Sequence, residues 1–249
     1  MSGLVDDTVL AAVLAALLAG VGGLLVPRLV ARVPEPTPQP DVDLDTEPDA
    51  EPAKVRYADL AARPGLGPRS ALVAAVAGAL VGLATGLDWP LLWLVPLVPV
   101  AVALSVIDWH TRLLPRVLVL PATGAAIVAV VAVGVAVGER DALVRALLAM
   151  VAVRSFYWLL WALRSGGIGF GDVRLAAPVG LVLGWVGWGA VVIGVWAGFL
   201  AFTVPALAVL ALRRDRTLLK TSFPFGPFMV VGALVGLVWG TALAGRIWG

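Results

Sequence analysis

The sequence predicts an all-α fold: a polytopic transmembrane helical bundle of about eight spans, with a disordered, acidic, Pro-rich cytoplasmic linker. Three observations lead there. Hydrophobic residues make up 61% of the 249 and charged residues only 14%, against about 25% charged in a soluble domain. Apolar runs recur along the chain, and a run of about 20 such residues crosses a bilayer as a helix. Basic residues gather in alternate loops, as they do when one set of loops stays in the cytoplasm. Backbone groups inside hydrocarbon must be satisfied within the segment itself, so strands are not expected.

The first apolar run covers 8–26. The residues before it are acidic (Asp6, Asp7) and the basic Arg28 and Arg32 follow it. A secretory signal has the opposite charge order, so the run is expected to be a retained helix. Residues 34–52 hold six prolines, seven acidic residues and no basic one. Such a stretch buries too little apolar surface to order itself. It is read as a linker, with an acidic docking arm as the functional alternative. Further spans are expected near 70–87, 89–107, 117–137, 143–163, 173–185, 187–211 and 226–245. The sixth is the shortest and ends at Gly184-Trp185-Val186-Gly187. The resulting division is 1–33, first helix and cytoplasmic exit; 34–69, linker; 70–249, transmembrane domain.

The loops after the first, third, fifth and seventh spans hold fourteen of the eighteen Lys and Arg residues. Arg140, Arg145 and Arg246 fall on the opposite side and Arg154 inside the fifth span. This predicts four cytoplasmic loops and both termini outside.

Composition narrows the chemistry. Cysteine is absent, which excludes disulfides, thiolate metal sites and Cys nucleophiles. One histidine, His110, excludes a two-His zinc motif. No metal, cofactor or nucleic-acid partner is expected. Of the sixteen acidic residues, seven lie in the linker, and Asp6, Asp7, Asp88, Glu139 and Asp141 lie on the outer side. Asp59 lies in the first loop, and Asp215 sits among Arg213, Arg214 and Arg216. Asp108 and Asp172 remain, one closing the third span and one opening the sixth, both at the cytoplasmic face.

Either Asp alone has an ordinary reading, as a mark of the water interface or as a favourable first-turn residue. Together they suggest more. Two carboxyl groups brought close share one proton, so that one activates water while the other polarises a carbonyl. Around Asp172 runs Gly166-Gly167-Ile168-Gly169-Phe170-Gly171. Glycines without Cβ let a substrate backbone approach closely. The Gly-x-Gly-Asp motif is short enough to arise by chance.

Its placement resembles the type IV prepilin peptidases, membrane aspartic proteases of the GxGD class. Asp108 with Pro115 is similar to that family's Asp-x6-Pro element. Gly169-Phe170-Gly171-Asp172-Val173-Arg174-Leu175 is similar to its GxGD element, with Arg174 where Lys is usual. Phe223-Pro224-Phe225-Gly226-Pro227-Phe228 is similar to its PFGPF segment, and Arg32-Val33-Pro34 to its R-x-P step. The resemblance implies an aspartic endopeptidase with Asp108 and Asp172 as the catalytic pair. It implies Gly169, Gly171, Arg174 and Pro115 at the substrate. It implies prepilin or pseudopilin substrates, cut between a short basic leader and an apolar helix that packs in the bilayer of the inner membrane. Many members carry two CxxC pairs that bind zinc; this chain has none, so the resemblance carries over neither zinc nor the family's N-methylation from S-adenosylmethionine.

Other residues have plainer readings. His110 is an interfacial residue or tunes the dyad. Arg154 pairs with a carboxylate, lines a polar cavity, or is structural. Phe223 to Phe228 is a Pro-Gly-broken helix entry, which the resemblance raises to a groove element. The rival functions are a small proton- or cation-coupled transporter using the same two Asp residues, and an inactive scaffold of a pilus or secretion assembly.

Overall fold

The computed structural model describes residues 2–35, 55–163, 168–213 and 224–248. They form ten helices: α1 (Ser2–Leu24), α2 (Val26–Ala31), α3 (Tyr57–Ala61), α4 (Leu66–Thr85), α5 (Leu91–Thr111), α6 (Arg116–Val137), α7 (Arg140–Ala162), α8 (Phe170–Val186), α9 (Trp188–Arg213) and α10 (Gly226–Trp248). No strand occurs among the described residues. The chain is a multi-pass, all-helical membrane protein. Seven helices (α1, α4, α5, α6, α7, α9 and α10) are long and apolar enough to cross a membrane.

The eighth span is α8, at 17 residues. At about 1.5 Å per residue it is roughly 25 Å long, just short of a hydrocarbon core of about 30 Å. It is short because it lies inside the bundle. Val173, Ala176, Leu181 and Leu183 are fully buried. Its last carbonyls would be orphaned in an apolar setting. Arg145 of α7 meets this need by donating to the carbonyls of Gly184 (2.8 Å) and Trp185 (2.7 Å).

Small residues set the packing. Without water to drive association, membrane helices gain from close backbone approach. Gly78 and Gly82 of α4 lie against Ala15 and Ala11 of α1; a Cβ on either would stand 2.5 Å from those residues' carbonyl oxygens. Gly180 and Gly184 of α8 meet Ala149 of α7, and Gly232 and Gly236 of α10 meet Gly194 of α9. The sequence numbers run in opposite directions in each pair, so all three pairs are antiparallel. The starts of α8 and α10 lie at the same end of the bundle as the end of α5, since Gly226 reaches Asp108 and both Gly171 and Gly226 abut Leu114.

Residues 36–54 of the expected linker, with their acidic run, lie outside the described residues. Its flanks are ordered by capping. Glu35 accepts the backbone N–H groups of Tyr57 (3.1 Å) and Ala58 (3.0 Å), across 22 and 23 residues. This places α3 beside α2, with Tyr57 and Leu60 buried. The Tyr57 hydroxyl lies beside Thr111, in the last turn of α5.

Candidate active site

Three helix ends build the site. Asp108 lies in the last turn of α5, which stops because Arg112 turns left-handed (φ 55°) and sends its N–H back to the Asp108 carbonyl at 2.8 Å. Asp172 lies in the first turn of α8, where Gly169 is extended and caps the helix. Gly226 opens α10.

Both carboxyl groups are enclosed: Asp108 is 4% exposed and Asp172 6%. Each accepts one backbone N–H. Gly226 donates to Asp108 Oδ2 at 2.8 Å, across 118 residues. Gly169 donates to Asp172 Oδ2 at 2.8 Å. The N-terminal ends of α10 and α8 therefore face the two carboxyl groups. Asp108 and Asp172 are near enough for charge on one to act on the other. Leu114, 7% exposed, lies between the two helix starts. A Cβ on Gly171 would stand 2.9 Å from its Cβ, and one on Gly226 would stand 3.4 Å from its Cδ1. The structure thus brings together the two residues singled out in the sequence, at one end of the bundle. Two carboxyl groups so placed can share a proton and act on one water.

The remaining site candidates occupy distinct places. Gly169 is exposed beside Asp172. Gly171 is the contact point with Leu114. Pro115, extended (φ −68°), is the N-cap of α6 and turns the chain after Asp108. The Arg174 guanidinium sits 4.7 Å above the Phe170 ring, which packs edge-on against Trp161. His110 Nδ1 is engaged by the Val106 carbonyl at 2.8 Å. Arg154 lies on the exposed face of α7. Gly166, Gly167, Asp215 and Phe223 lie outside the described residues.

One contributor was named in the sequence only as part of the PFGPF-like segment, and one escaped notice there. Gly226 holds Asp108 directly; its signal was present as a Gly at a Pro-flanked helix start. Tyr157 of α7 is buried to 2% and within charge range of Asp172. It stacks on Phe199 (5.6 Å, 13°) and meets Phe225 at 6.1 Å, and Phe225 also meets Phe202 at 5.2 Å. Phe225 is therefore a core residue behind the dyad. No sequence pattern marks Tyr157, because its role depends on α7 packing against α8. The chain offers no Cys and a single His, a donor set that does not fit the zinc site carried by many members of the resembled family.

Residues 95–240 match the sequence profile of the type IV leader peptidase family. Among curated relatives, the prepilin leader peptidase/N-methyltransferase of Stutzerimonas stutzeri is 33% identical over 140 residues, covering 55% of this chain and 46% of the relative. Those of Aeromonas hydrophila (29% over 177 residues; 71% and 59%) and Burkholderia pseudomallei strain 1026b (32% over 183; 72% and 57%) are similar over more of the chain. The chain spans about half the length of the curated relatives it matches. No solved structure matches. The profile match covers more than half of the chain and encloses Asp108, Asp172 and Gly226, and on this ground the chain belongs to the type IV leader peptidase family.

Proposed function

We propose that this chain is a membrane aspartic endopeptidase that removes the short basic leader of type IV prepilins or pseudopilins at the cytoplasmic face of the bacterial inner membrane. The observation that carries this reading is the convergence of two buried carboxyl groups, each held by one backbone N–H, at the ends of α5 and α8. With one proton between them, the ionised carboxylate takes a proton from water as the oxygen adds to the scissile carbonyl carbon. The protonated carboxyl donates to the carbonyl oxygen. The C–N bond then breaks as a proton passes to the departing amine, and the pair returns to its one-proton state. The leader leaves with a new carboxylate and the apolar helix with a new N-terminus. Exposed Gly169 leaves room for a substrate backbone beside Asp172, Gly171 and Pro115 hold the walls, and Arg174 borders the entry on Phe170. No methyl transfer is assigned to this chain.

Coupled transporters place their carboxylates near the bilayer midplane. Asp108 and Asp172 lie at helix ends, which favours the protease over a proton- or cation-coupled transporter. The distribution of basic residues supports both termini outside; a reporter in 36–54 is expected to read as cytoplasmic and one at the C-terminus as external.

The test is prepilin cleavage by purified protein. Asp108→Asn and Asp172→Asn each abolish it, and the double variant is no worse, because the two groups act as a unit. Asp215→Asn keeps it. Near-wild-type cleavage by either single variant removes that residue from the mechanism, and by both removes the assignment.

A further inference from the structure

A groove of about 590 Å³ runs between α4, α5, α8 and α10, with α6 at its edge. It is lined on α4 from Leu66 to Val81 and on α5 from Leu94 to His110, a length of about 22 Å at the helical rise. Its walls are almost wholly apolar. Its polar side chains gather toward the end where α4 starts, which is also the end that holds the dyad. Arg63, Arg69 and Ser70 stand there, with His110 across from them on α5. No carboxylate lines the groove among the described residues.

Two features at that end are unsatisfied. The α4 N-terminus has Gly65 as its N-cap and no side-chain cap, so its positive end is open to an anion. Ser70, in the second turn of α4, is 3% exposed, and its Oγ has no hydrogen-bond partner among the described residues. A buried hydroxyl without a partner is unusual and calls for an explanation. The Oγ itself is sealed from the groove, so contact with a ligand falls to the two arginines and the open helix end.

We propose that this groove binds one anionic phospholipid, its phosphodiester head on Arg63, Arg69 and the open start of α4 and an acyl chain along the apolar wall. Charge selects the occupant: among the described residues no carboxylate lines the groove beside the two guanidinium groups, and basic recesses between helices on the cytoplasmic side suit anionic lipid heads. Size agrees, since cavities for single small ligands run roughly 300–1,000 Å³. Location separates the groove from the scissile site, because neither Asp108 nor Asp172 lines it. An occupant of the groove therefore does not touch the carboxyl groups.

Native mass spectrometry of the purified, delipidated protein tests this with phosphatidylglycerol, phosphatidylcholine, glycerol phosphate and inorganic phosphate as probes. Wild type is expected to take up one phosphatidylglycerol per chain, at least tenfold more tightly than phosphatidylcholine. The two water-soluble phosphates should neither bind comparably nor displace it. Arg63→Gln with Arg69→Gln lowers phosphatidylglycerol affinity about tenfold and leaves phosphatidylcholine unchanged. Ala77→Phe, which fills the groove, removes both. Should that variant fail to fold, Ala101→Phe on the facing wall takes its place. Equal binding of the two lipids, indifference to the Arg pair, or retention by a filled groove overturns the proposal. So does crosslinking of a prepilin helix to a photoreactive group at Ala101 in preference to lipid.

Discussion

Gly226→Ala is the most informative single change, because one methyl group lands on one catalytic candidate. A Cβ at Gly226 would stand 2.8 Å from Asp108 Oδ2 and 3.3 Å from its Cγ. Comfortable carbon contacts sit near ~3.5–4.0 Å, so the carboxyl group must move. Gly226 has no left-handed backbone, so the substitution strains nothing else. In open space, alanine in a helix is favoured over glycine by up to about 1 kcal/mol. Here overpacking costs about 1–3 kcal/mol, and the displaced carboxylate loses part of its 2.8 Å bond, a charged hydrogen bond of about 1.5–3 kcal/mol. A displacement of about 1 Å in a reacting group lowers turnover about 10²-fold. The assay is prepilin cleavage in detergent or nanodiscs, with thermal unfolding measured alongside. The expected result is a folded protein, somewhat less stable, with cleavage down by about two orders of magnitude. Wild-type cleavage with raised stability would mean that Asp108 does not need the position that α10 imposes on it, and would refute the reasoning.

Other outcomes follow from the same geometry. The two glycines of the Gly-x-Gly-Asp motif should differ. Gly171→Ala drives a Cβ to 2.9 Å from Leu114 Cβ, whereas the nearest atom to a Cβ on Gly169 is Asp172 Oδ2 at 3.6 Å. Each should lower cleavage about tenfold, roughly 1.4 kcal/mol in the barrier, but Gly171→Ala should also lower Tm through the Leu114 clash, whereas Gly169→Ala fills only the space left for substrate and should leave Tm unchanged. Arg145→Met strips the cap from α8 and should lower stability by about 1–3 kcal/mol, seen as a drop in Tm, with cleavage falling only as the protein unfolds. Replacing 36–54 by a short Gly-Ser linker should leave cleavage intact, because Glu35 still meets Tyr57 and Ala58. Glu35→Ala in the full chain should cost about 1 kcal/mol, as loss of an N-cap does. Lost cleavage in the shortened, folded protein would assign a role to the acidic run itself.

The sequence by itself determined the class and the spans, and it singled out the pair as candidates. Membrane helices are legible because each must satisfy its own backbone and must be about 20 apolar residues long; eight runs were expected and eight long helices stand in those places. Even the sixth was visible, although α8 is too short to count by length alone. Asp108 and Asp172 stood out by elimination, since a chain this poor in polar groups leaves few candidates. Only the tertiary structure decided what surrounds them. Arg145 reads as an outer-loop charge until α7 packs on α8 and carries its guanidinium to two orphaned carbonyls. Tyr157 reads as one apolar-run aromatic until the same packing turns it toward Asp172. Gly226 reads as a helix breaker until α10, arriving from 118 residues away, aims its N–H at Asp108. Ser70 reads as a small polar residue in a span until its burial leaves the hydroxyl without a partner among the described residues. Periodicity and composition report how a segment meets its solvent. They carry no term for which helix end meets which, and that pairing is what holds the two carboxyl groups together.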